Sequence, residues 1–116
     1  MGPDSAFPPP PSTSEGELLD QLLDSLIGDF SSWFERGLVL LDHCPEAVMP
    51  PEQQRSLRER IELARKEISA ATSLRQAAPT RMALDMEALA PWHRLVVRVW
   101  DLSATLRFNG IALPEA

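Results

Sequence analysis

The sequence predicts an all-α fold, an antiparallel three-helix bundle behind a disordered, proline-rich N-terminal tail. Three observations predict it. Apolar residues recur every three or four positions through three long stretches, and no stretch alternates with the period of two that a half-buried strand needs. Prolines punctuate the chain between those stretches, at Pro45, Pro50, Pro51, Pro79 and Pro91. Leu, Ala, Arg and Glu dominate and tyrosine is absent, a composition that favours helices. A length of 116 residues allows one domain, and a hydrophobic content of 44% with 24% charged residues is ordinary for a globular chain.

Residues 1–14, MGPDSAFPPPPSTS, read as the tail. The run Pro8 to Pro11 favours polyproline II and is excluded from a helix interior. Such a run resembles a ligand for aromatic grooves, but short proline runs are common and a plain leader is the simpler reading. The bundle is expected over 15–113.

The first helix is expected over about 15–43. Ser14-Glu15-Gly16-Glu17 matches a capping box, with Ser14 at the N-cap and Glu17 reaching back to it. Pro45 stops the helix. On a helical projection Leu18, Leu19, Leu22, Leu23, Leu26, Ile27, Phe30, Trp33, Phe34, Leu38, Leu40 and Leu41 share a sector of roughly 200°, too wide for one neighbour. Gly37 lies near the middle of that sector. Glycine there costs about 1 kcal/mol relative to alanine, so it predicts a close crossing with another backbone, with room for a ligand as the alternative.

The second helix is expected over about 51–78, with Pro51 and Glu52 suited to its first turn. Leu57, Ile61, Ala64, Ile68, Ala71, Arg75 and Ala78 follow a four–three spacing, a heptad seam whose alanines admit a close neighbour. Arg55/Glu59, Arg58/Glu62 and Glu62/Lys66 sit at i, i+4 on the solvated side. Arg75 is out of character in an apolar seam. It predicts a guanidinium stacked on Trp92, arriving from the third helix.

Residues 80–90 allow a short helical turn, and Pro91 suits the first position of a third helix over about 91–108. Asn109-Gly110 ends it with a residue able to take positive φ, and Ile111 can fold back as an apolar contact. With Trp92 at 0°, Val96 projects at about 40° and Trp100 at about 80°. Both tryptophans are therefore expected to face inward, each indole N–H with a partner.

The charge is −6 and unevenly placed. Residues 1–48 hold nine acids and a single base, Arg36, whereas 49–116 hold ten bases and eight acids. This predicts attraction between an acidic first helix and the later ones, or an acidic face kept for a basic partner. A net negative chain is a poor ligand for a phosphate backbone, so no nucleic-acid partner is expected. No stretch reads as a membrane span or a signal peptide. The single cysteine, Cys44, excludes an intrachain disulfide and suits a cytoplasmic setting.

Candidate sites are sparse. His93 borders the inward face beside Trp100, where a histidine can ligate a metal, haem or pigment or serve as a hydrogen-bonded structural group. His43 belongs at the far end of the bundle, and the ligands are too few for structural zinc, so no metal and no cofactor are expected. Arg94 and Arg98 share the outer face of the third helix, either as solvated charge or as a basic patch for an acidic partner. No nucleophile–base pair or phosphate loop is present, so an enzyme is not expected.

DFSSWFERGLVLLD at 29–42, PPEQQ at 50–54 and PWHRLVVRVW at 91–100 together resemble a small family of helical cyanobacterial proteins known as a domain of unknown function. The resemblance would span about 15–108. It brings no catalytic residues. It implies a cyanobacterial, cytoplasmic setting, with a link to photosynthetic machinery at the thylakoid surface.

The leading functional expectation is a non-enzymatic interaction module, an adaptor or assembly-type factor. It would bind another protein through Trp92, His93, Arg94 and Arg98. The alternative is a cofactor- or pigment-binding bundle using His93. Self-association is also open, because two neighbours do not obviously cover the wide face of the first helix. A peripheral lipid contact through that face ranks lower, since its acidic back would be repelled by anionic headgroups.

Overall fold

The computed structural model describes residues 11–77 and 86–115. They form three helices, α1 (Pro11–Asp42), α2 (Pro51–Ala77) and α3 (Met86–Phe108). Most of the expected tail, residues 1–10, and Ala78 of the expected seam lie outside the described residues.

Five cross-helix pairs fix the topology. Asp24 meets Arg75, Gly37 meets Ile61, and Asp42 meets Arg58, so α2 runs antiparallel to α1. Phe30 meets Trp92 and Gly37 meets Val99, so α3 runs parallel to α1. This is the expected up-down-up bundle, with one qualification: α1 packs along both α2 and α3, which barely touch each other. The single core follows from that arrangement. Leu23, Ile27, Phe30, Phe34, Leu40 and Leu41 come from α1, Leu57, Ile61, Ala64 and Ile68 from α2, and Leu89, Trp92, Leu95, Val96, Val99, Leu102 and Leu106 from α3.

Two helix starts differ from expectation. Helix α1 already runs at Pro11, the first described residue, upstream of the expected Ser14 cap. Helix α3 begins at Met86, which places Pro91 inside the helix rather than at its start. Inside the helix Pro91 has no N–H to donate, so it removes one bond from the α3 ladder.

The ends match their local codes. At α1 the His43 and Cys44 amides close back on Leu40 and Leu41 at 3.1 and 3.2 Å, and His43 Nδ1 donates to the Val39 carbonyl at 3.0 Å. Gln54 then ties the connector down, its Nε2 donating to the carbonyls of Cys44 and Met49 at 3.1 and 2.9 Å. At α3, Ile111 N bonds Leu106 O and Gly110 N bonds Arg107 O, both at 3.0 Å, with Gly110 at φ 73°. That is a Schellman motif, and Ile111 packs on the core as expected.

Gly37 is buried at the junction of all three helices. The close approach is to side chains rather than to a backbone: a Cβ there would lie 2.9 Å from both Ile61 Cδ1 and Val99 Cγ2. The missing side chain lets α2 and α3 reach α1 at one level.

Candidate functional site

The two tryptophans of α3 part company. Trp92 is buried, edge-on to Phe30 at 6.0 Å, with Nε1 donating to Glu67 Oε1 at 3.1 Å. Trp100, expected inward, is 44% exposed. The physical reason is the small contact between α2 and α3. Helix α3 has essentially one neighbour, so its buried arc is narrow and a side chain projecting about 80° from Trp92 falls outside it.

Trp100 instead meets Trp33 of α1, itself 37% exposed, with ring centroids 5.6 Å apart and planes at 80°. The pair lines a groove of about 620 Å³ between α1 and α3, on the side away from α2. Helix α1 contributes Ser32, Trp33 and Arg36, and α3 contributes Trp100, Ser103 and Arg107. The segment after α3 closes one end with Ile111, Leu113 and Pro114. Glu115 is the one acidic residue on its wall.

Charge makes the groove distinct from its surroundings. Arg36 is the only base among the first 48 residues, and it stands on the groove wall with Arg107 opposite. Two arginines and two half-exposed indoles thus share one concave face of a chain whose net charge is −6. Trp and Arg are the residues most enriched where binding energy concentrates, since each combines a large apolar body with a directed donor.

Other expected site residues lie elsewhere. His93 and Arg94 are exposed and Arg98 is half-buried, and none of the three lines the groove. Trp92 serves the core. His43 is separated from the level of Trp92 by the rise from Phe30 to His43, on the order of 20 Å. Among the described residues, no group of three or more His, Cys, Asp or Glu is placed to hold a metal. The Cys44 thiol is pushed above its usual range by burial.

Arg75 also departs from expectation. Its guanidinium turns to α1, with Nη2 2.9 Å from Asp24 Oδ1, 3.5 Å from Asp20 Oδ1 and 3.3 Å from the Asp20 carbonyl. Two carboxylates offer a cation more than an indole face does. With the Arg58–Asp42 pair at 2.9 Å, this realises the expected attraction between the acidic α1 and the later chain.

A family model matches residues 13–108. The chain belongs to the DUF2605 family. That family is described as a protein of unknown function, and the match spans all three helices and both groove tryptophans. No curated protein and no solved structure matches the chain. For this DUF2605 member the geometry of its own surface therefore carries the functional reading. Among the described residues no helix is long and apolar enough to cross a membrane.

Sequence reasoning missed the groove residues although signals existed. Trp33 lies within an apolar sector too wide for its neighbours, about 60° from the Leu18 edge. Trp100, Ala104 and Arg107 follow i, i+4, i+7 on one face of α3, which is the groove wall.

Proposed function

We propose that this chain is a non-enzymatic interaction module, an adaptor or assembly-type factor whose α1–α3 groove holds an acidic, leucine-bearing amphipathic helix. The observation that carries this reading is the half-exposed Trp33–Trp100 pair with Arg36 and Arg107 on the groove walls. A helix laid along two parallel helices presents one apolar stripe to the indoles, and carboxylates beside the stripe meet the guanidiniums. Such a docking completes a four-helix arrangement around α1 and α3.

This reading keeps the interaction class expected from the sequence and moves its surface from Arg94 and Arg98 to the groove. The cyanobacterial setting implied by the family resemblance makes a cyanobacterial lysate the natural source of partners. The test is affinity isolation with the tagged full chain against the double variant Trp100→Ala/Arg107→Gln, followed by crosslinking to locate the bound segment. The expected segment is acidic and helical, and as a synthetic peptide it binds the double variant at least ~10-fold more weakly, as loss of one buried anchor implies. A segment that crosslinks elsewhere, or binds both forms alike, overturns the reading.

A further inference from the structure

The N-terminal half of α1 leaves an apolar stripe uncovered. Leu18, Leu22 and Leu26 are spaced four apart on one face, and they are 59%, 60% and 36% exposed. The same face continues along α1 to Trp33. Residues 15–29 carry five acids and no base. Asp20 and Asp24 answer Arg75, while Glu17 and Asp29 are exposed acids of that segment. The chain therefore displays both an acidic leucine helix and, farther along, a groove of tryptophan and arginine that suits one.

We propose that a second copy of this chain fills the groove, its Leu18–Leu26 stripe lying over Trp33 and Trp100 while the first copy returns the same contact. This rests on the docking reading above and names its occupant. Two features on one chain that complement each other are satisfied together by a twofold, isologous pairing, which closes and leaves no sticky end. With α1 antiparallel to its counterpart and the axis near residues 29–30, Leu26 comes level with Trp33 of the second copy. Each half of the contact brings the acidic segment of one copy to Arg36 and Arg107 of the other, which favours encounter and fixes register. The dimer is the resting form, from which a partner helix of the same chemistry displaces one α1.

Light scattering after size-exclusion of the full chain, at about 200 µM, tests this with Leu22→Gln and Trp100→Ala. Both side chains are exposed within one copy, so unchanged helical ellipticity verifies that each variant folds. Wild type should have twice the 12.9 kDa chain mass. Each variant should dissociate at least ~10-fold more readily, as expected for losing a buried leucine or indole anchor. Mixing the two variants should recover dimer in part, above either variant alone, because the intact leucines of the Trp100→Ala chain find the intact groove of the Leu22→Gln chain and both lesions fall in the other half of the contact. A monomeric wild type overturns the second-copy inference while leaving the docking of another protein's helix to the affinity experiment. A dimer that ignores Trp100→Ala, or a mixture no more dimeric than either variant alone, overturns it too, pointing in the first case to a leucine-on-leucine contact.

Discussion

A Cβ on Gly37 would stand 2.9 Å from both Ile61 Cδ1 and Val99 Cγ2. The two neighbours differ in how they can yield. Ile61 Cδ1 is the far end of a flexible side chain, whereas Val99 Cγ2 is fixed by the one χ1 rotamer that a helix allows valine. Gly37→Ala should therefore lower stability by about 1–2 kcal/mol, overpacking outweighing the helix propensity gained. Val99→Ala should cost about 2 kcal/mol by itself. Together the two should cost clearly less than their sum, and denaturant titration of the four chains reads that coupling. Cys44 supplies a pH dependence at the same scale. Its thiol is raised above its usual range by burial. Once pH exceeds the unfolded thiol's ordinary value the unfolded chain loses that proton and the native chain keeps it. Stability should thus fall as pH rises from there toward the raised native value, and Cys44→Ala should flatten that fall.

Arg75 and Arg58 both tie α2 to α1, but they should not matter equally. The Arg75 side chain is 10% exposed and reaches two carboxylates and a carbonyl, whereas Arg58 and Asp42 meet in solvent. Arg75→Ala should cost about 1–2 kcal/mol, Asp24 rehydrating freely because it is largely exposed, and Arg58→Ala at most about 0.5 kcal/mol. The larger loss should appear as faster amide exchange in the first half of α1, which Arg58→Ala leaves unchanged. These elements also show what sequence alone could reveal. The start of α2 and the Gly110 turn were legible because they are written locally, in Pro51 and in Asn109-Gly110-Ile111. The start of α3 was misplaced because proline reads as a first helical residue, and only the packed Leu89 upstream shows otherwise. Trp100 was misassigned because the width of a buried arc depends on the number of neighbours, a tertiary quantity. The groove was illegible for the same reason: it exists only where Trp33 and Trp100, 67 positions apart, come together.

At the scale of the whole chain α1 is the hub, since α2 and α3 are joined almost wholly through it. Two unfolding behaviours are conceivable for such a layout. If each outer helix had its own interface with α1, either could detach alone. Gly37 argues against separate interfaces: Ile61 of α2 and Val99 of α3 both crowd it, and the buried residues of all three helices form a single cluster. Detaching α2 would expose Leu57, Ile61 and Ile68 and at the same time open the α1 surface on which Val99 rests. That couples the two contacts, and the chain should unfold in one cooperative transition. Trp92 reports on the α1–α3 contact through Phe30 and on α2 through Glu67, while far-UV ellipticity reports on every helix. In a Trp33→Phe/Trp100→Phe background, where Trp92 is the only indole, fluorescence and ellipticity should share one midpoint in urea. Phe34→Ala, which empties a fully buried position on the hub, should move both midpoints together, by about 3–5 kcal/mol of stability. An early transition in which Trp92 fluorescence shifts while only about a third of the ellipticity is lost, with the rest melting later, would mean that α2 leaves first, and that the core is two interfaces rather than one.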